Sequence, residues 1–189
     1  MMTSTPTTAH RPSSAERKRQ LLLDAATDVL TTEPGASLGV VAQAAHVSRT
    51  TLHNYFASRE DLLRAVGDRA LELCARVVTT VGDTTTDDDG GVRALVVALL
   101  SVGPHLAFLW RTPSFDHEPD FGRRWLLTEK GMADIIGRAK ARGVVSTGRP
   151  DWWDVSTLLA LIYVASESIY LGRLASLDAP DLVLRTFLT

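Results

Sequence analysis

Within residues 48–59 the chain gathers side chains that donate and accept hydrogen bonds without carrying negative charge: Ser48, Arg49, Thr50, Thr51, His53, Asn54, Tyr55 and Arg59. Guanidinium, hydroxyl, imidazole and amide groups are the types that engage phosphate oxygens and the edges of base pairs. No Asp or Glu occurs in residues 34–59, which suits a surface that meets a polyanion. The formal net charge of −2 does not itself point to nucleic acid, so the placement of charge matters more than its total.

Two short helices must hold those groups. Leu38, Val41, Ala42 and Ala45 recur at helical spacing, which predicts a helix with one buried face, opened by Ser37 as a cap. Ser48 reads as the cap of a second helix, its side-chain oxygen accepting the amide of Thr50 or Thr51. Only Ala45, His46 and Val47 lie between them, so the second helix leaves steeply, as in a helix-turn-helix over residues 37–56. Leu52 and Phe56 then point inward while Arg49, Thr50, His53 and Asn54 point out. A preceding helix over 14–32, with Leu22, Ala25, Ala26, Val29 and Leu30 on one stripe and Pro34-Gly35 behind it, supplies a third wall. After Phe56, Ser58 with Asp61 makes a capping-box-like start. Arg59 stands there at a helix mouth where free amides and a cation grip a phosphate. A long rod over 58–81 follows.

The pattern Ala42-x-x-Ala45-His46-Val47-Ser48-x-x-Thr51-Leu52-His53-x-Tyr55-Phe56-x-x-Arg59-Glu60-Asp61-Leu62-Leu63 closely resembles the DNA-binding domain of the TetR/AcrR family of bacterial transcriptional regulators. The resemblance covers residues 16–76, about a third of the chain. Two positions depart from it. His46 stands where the family usually has Gly, at a turn needing a left-handed backbone that His tolerates better than most residues. His53 replaces the family's usual phosphate-contacting Tyr. The resemblance implies a DNA-contacting set of Ser37, Ser48, Arg49, Thr50, Thr51, His53, Asn54, Tyr55 and Arg59. Arg49, Thr50 and Asn54 are the candidates for base edges, and Ser48, His53, Tyr55 and Arg59 for phosphates. Arg11, Arg17, Lys18 and Arg19, with only Glu16 opposing, are either a solvated helix start or a basic arm onto the flanking backbone or minor groove, Arg17 and Lys18 being the DNA-contacting candidates among them.

An all-α fold is expected, with a tail over 1–13 that is Thr-, Ser- and Pro-rich and expected to be disordered, a head over 14–76, and a larger helical domain over 77–189 for effector binding and dimerisation. In that domain a helix over 92–110 carries Pro104 in its interior and should kink near Gly103, leaving a gap beside His105, Phe108 and Trp110. With Trp125, Tyr163 and Glu167 these are the candidate effector-binding residues. A last long helix over 151–175 is apolar nearly all round from 158 to 165, which calls for a partner chain. Leu158, Leu159, Ile162, Ala165, Ile169 and Leu184 are expected at the interface of a homodimer built as a shared four-helix bundle.

The sequence shows no nucleophile elbow, phosphate-binding Gly loop or zinc spacing, so no enzyme activity, cofactor or metal is expected. Asp87, Asp88 and Asp89 lack the spacing of a calcium loop and read as a solvated linker. One cysteine, Cys74, and no signal peptide or membrane span suit a cytoplasmic protein with no membrane partner. The resemblance implies a ligand-responsive regulator, in the first instance a repressor. It would bind a palindromic double-stranded operator and be released by a small-molecule effector. The alternative is a dimeric small-molecule binder with weak or lost DNA binding.

Overall fold

The computed structural model describes residues 13–84, 89, 91–112, 115 and 118–189; the tail expected over 1–13 lies outside them except for Ser13, as does most of the acidic linker. Helix α1 (Ser14–Thr32) opens on a capping box, the Ser13 side chain accepting from the Glu16 amide at 3.1 Å while the Glu16 carboxylate accepts from the Ser13 amide at 2.6 Å. Two short helices, α2 (Leu38–Ala44) and α3 (Arg49–Tyr55), lead into α4 (Arg59–Thr84). Five more helices follow: α5 (Val92–Ser101), α6 (Gly103–Arg111), α7 (Pro119–Ala141), α8 (Asp151–Tyr170) and α9 (Ala179–Leu188). All regular structure among the described residues is helical.

Residues 92–110 form two helices, not one kinked helix. The axis turns by 72° between α5 and α6, and Pro104 falls at the start of α6. There its missing amide leaves no helical bond unmade and its fixed φ favours the first turn, so the proline opens a new helix. The last long helix also ends sooner than expected, at Tyr170, because Gly172 adopts φ 68° and its left-handed backbone closes the helix end. Among the described residues no single helix is long and apolar enough to cross a membrane.

Apolar side chains gather in two cores. The first joins Leu22, Leu23, Ala26 and Leu30 of α1 to Val41, Ala42, Leu52, Phe56, Leu62, Val66 and Leu71, and it recruits Phe108, Phe115 and Phe121 from further along the chain. The second runs from Cys74, Val78 and Val81 through α5, α7, α8 and α9. Helix α4 crosses from one to the other between Leu71 and Cys74. Burial pushes the Cys74 thiol up to about 12, so it stays protonated and behaves as a small apolar group.

The residues expected at a subunit interface occupy this second core. Leu158, Leu159, Ile162, Ala165 and Leu184 are buried inside the chain, and Ile169 is half-buried. The physical reason is that α5, α6, α7 and α9 of the same chain pack on α8, so the face of the helix that carries these residues is covered within the chain. The outward apolar side chains of α8 and α9 are Trp152, Trp153, Val164, Tyr170, Leu182 and Leu188, with Leu171 just beyond α8.

Candidate nucleic-acid interface and cavity

Leu52 and Phe56 anchor α3 to α1 and α4, both almost wholly buried. The Ser48 side chain caps α3 by accepting from the Thr51 amide at 3.0 Å, and its hydroxyl lies 2.8 Å from the Thr51 hydroxyl. Ser37 caps α2 more loosely, 3.4 Å from the Val40 amide. Between the helices His46 holds φ 53°, the left-handed turn the short spacing demands, and the amide of Val47 donates to the Ala42 carbonyl at 2.9 Å. As a result Ser48, Arg49, Thr50, His53 and Asn54 stand exposed on one convex face, with Thr51 and Tyr55 half-buried at its edge. The Tyr55 ring sits 6.4 Å from that of Phe56. Arg17 and Lys18 are exposed on the first turn of α1. Their neighbour Arg19 instead lies 5.4 Å over the Phe56 ring, a cation–π contact that sequence reasoning did not single out.

Arg59 does something other than await a phosphate. Its Nε donates to the carbonyl of Ala36 at 3.2 Å and a terminal nitrogen donates to that of Pro34. Those carbonyls belong to the link between α1 and α2, so Arg59 braces the turn from which the reading helices depart. Ser58 accepts from the Asp61 amide at 3.0 Å and donates to the Asp61 carboxylate at 2.8 Å, opening α4.

Three of the six candidate effector residues meet at one place. Trp110, Trp125 and Tyr163 line a cavity of about 310 Å³ together with Phe121, Phe115 and Glu129, closed by Leu106, Leu109, Ser156 and Leu159. The Trp110 and Tyr163 rings are stacked, 5.4 Å apart and 18° from parallel. The other three candidates lie elsewhere. Phe108 turns into the first core, 6.1 Å from the Phe115 ring. His105 faces α1, its Nε2 3.6 Å from Asp24, and burial lowers its pKa. Glu167 pairs with Arg111 at 2.6 Å. The bend between α5 and α6 turns His105 and Phe108 toward α1 and the first core, whereas Glu167 on α8 is one turn beyond Tyr163 and held by Arg111. Glu129 was legible in principle, being one helical turn beyond Trp125 and two beyond Phe121 on α7. Among the described residues no group of three or more His, Cys, Asp or Glu could hold a metal.

A helix-turn-helix head with an exposed, acid-free second helix, continuous with a helical domain that carries an aromatic-lined cavity, is the architecture of a DNA-binding transcriptional regulator. Residues 22–66 match the profile described as bacterial regulatory proteins, tetR family. The HTH-type transcriptional repressor LfrR of Mycolicibacterium smegmatis is 31% identical over 156 residues, covering 81% of this chain and 79% of that protein. A crystal structure of LfrR in complex with proflavine superposes with a TM-score of 0.78 at 29% identity, over 94% of this chain and 97% of that one. The ketosteroid regulator KstR2 of Mycobacterium tuberculosis shares the fold, with a TM-score of 0.72 at 15% identity over 96% of this chain and 97% of that one. The chain belongs to the TetR family of transcriptional regulators.

Proposed function

We propose that this regulator is a repressor that binds a palindromic operator as a homodimer and is released when a planar aromatic cation enters the cavity. The observation that carries the reading is the outward face of α3. Arg49, Thr50 and Asn54 suit base edges in the major groove, and Ser37, Ser48, Thr51, His53, Tyr55, Arg17 and Lys18 suit the flanking phosphates. Arg59 acts on DNA only through the turn that it braces. Two such heads related by a twofold axis read half-sites about one helical turn, or a multiple of one, apart.

The cavity wall supports the effector class. Stacked Trp110 and Tyr163, with Trp125, Phe115 and Phe121, offer flat apolar faces, and Glu129 is the acidic side chain among its lining residues. Aromatic faces and a carboxylate together favour a delocalised cation, and proflavine, the ligand in the LfrR complex, has that chemistry. Binding releases DNA if the ligand prefers the head spacing that does not fit the operator.

The test is an operator selected from a random duplex pool by the wild-type protein, followed by titration with Arg49→Ala and Asn54→Ala. Each substitution should remove about 1–3 kcal/mol of discrimination against the wrong base pair; unchanged discrimination would remove both residues from readout. Proflavine should dissociate the wild-type complex. DNA affinity that is weak and does not fall steeply with added salt would favour a small-molecule binder that no longer engages DNA.

A further inference from the structure

We propose that Arg111 transmits cavity occupancy to the DNA-binding head, as a strut between Tyr163 on the cavity wall and the C-terminal end of α1. The proposal rests on the preceding reading that a ligand in this cavity releases the operator.

Arg111 is the last residue of α6, and its guanidinium reaches three acceptors. Its Nε donates to the Tyr163 hydroxyl at 3.2 Å, one terminal nitrogen donates to the Glu167 carboxylate at 2.6 Å, and the other donates to the backbone carbonyl of Thr31. Tyr163 and Glu167 lie on α8; Thr31 lies in the last turn of α1. Carbonyls there have no intrahelical partner, so Arg111 satisfies a group that the head cannot satisfy itself. The Thr31 hydroxyl returns a second bond, donating to the Pro104 carbonyl at the start of α6 at 3.3 Å. Helix α1 in turn supports the reading helix, since Leu23, Ala26 and Leu30 share a core with Leu52 and Phe56 of the α3 region.

The other end of the strut is a cavity wall. The Tyr163 ring stacks on Trp110 at 5.4 Å. A flat ligand sandwiched between them requires roughly 7 Å, two contact distances of about 3.5 Å, so insertion spreads the exposed Trp110 and half-buried Tyr163 rings apart, and the share taken by Tyr163 stretches the 3.2 Å bond that its hydroxyl accepts from Arg111. A guanidinium is a rigid plane with donors in fixed directions. It cannot follow Tyr163 and still hold Glu167 and the Thr31 carbonyl, so occupancy of the Trp110–Tyr163 stack loosens the end of α1. The strut thereby gives the ligand a differential effect on two head positions, which is what coupling requires.

The experiment uses the full chain, proflavine as probe, and the operator duplex selected by the wild-type protein. Proflavine affinity is read by its fluorescence without DNA, and operator affinity by anisotropy with and without saturating proflavine. For the wild type, proflavine should weaken operator binding by about 5- to 150-fold, the usual range of coupling between two sites. In Arg111→Met, whose α1 end lacks the strut with or without ligand, operator affinity should already fall toward that of the proflavine-saturated wild type, proflavine affinity without DNA should not fall, and added proflavine should change operator binding by about threefold or less. Arg111→Lys, which keeps the charge but not the fork, should lie between. If Arg111→Met fails to fold by circular dichroism, Tyr163→Phe removes the hydroxyl alone and should also lower the coupling factor. A wild type that binds both operator and proflavine without release defeats the reading of the cavity, and the strut with it. A released wild type with equally released Arg111→Met and Tyr163→Phe overturns the strut alone. So does a variant that melts earlier and binds operator more weakly with an unaltered coupling factor, which is the mark of a purely structural contact.

Discussion

His46 shows how a single backbone angle serves the reading helix. Its φ of 53° lies where a side chain is strained, at a cost on the order of 1–3 kcal/mol for residues other than Gly, partly offset because Gly is more disordered when unfolded. His46→Gly should therefore raise stability by about 0.5–1 kcal/mol in urea denaturation and leave operator discrimination intact; a loss of stability would show that His46 makes contacts its exposed position hides. This turn was legible because three residues between two periodic helices permit little else. Arg59 was legible only in part. Its place at the mouth of α4 follows from Ser58 and Asp61, but its hydrogen bonds go to Pro34 and Ala36, and no pattern along the chain announces a bond to a carbonyl 23 or 25 residues away.

At the scale of helices, close approach and burial set the behaviour of the junction between head and cavity. A Cβ added at Gly67 of α4 would lie 2.6 Å from the tip of the Phe115 ring, and Phe115 also lines the cavity. Gly67→Ala should drive that ring into the cavity, weakening proflavine binding and destabilising the fold by about 1–3 kcal/mol; calorimetry reads both. His105 of α6 faces Asp24 and Asp28 of α1 and Arg69 of α4. Burial, aided by Arg69, lowers its pKa against the opposing pull of the two carboxylates. Because the folded value lies below the unfolded one near 6.5, the neutral ring's contribution is present above about pH 6.5 and is lost as pH falls. The urea midpoint should drop from pH 7.5 to 5.5, and His105→Leu should flatten part of that drop; an identical slope in the variant would assign it to other groups. Apolar stripes made α1 and α4 legible in the sequence. The α5–α6 break was misread because a proline in a continuous apolar run marks either a kink or a new start, and only packing against α8 and α1 decides which.

Across the whole molecule, the apolar run in α8 was visible, and its inner residues Leu158, Leu159, Ile162 and Ala165 pack with α5, α7 and α9 of the same chain. The proposed homodimer would draw on outward apolar side chains of α8 and α9, among them Val164 at 59% exposure and Trp152 at 66%, with Leu182 and Leu188. Val164→Arg should raise the dimer dissociation constant by tenfold or more, about 1.4 kcal/mol, and weaken operator binding with it; sedimentation that still shows a wild-type dimer would place the interface elsewhere. The first core has a different consequence. Phe108, Phe115 and Phe121 join the first core where α6 packs on α1 and α4, the helices that carry the reading pair, so a fragment cut after α4 would leave a hole where three aromatic rings belong. The specificity of this regulator is for that reason not a portable cassette: grafting its first eighty residues onto another chassis would require transplanting those rings too.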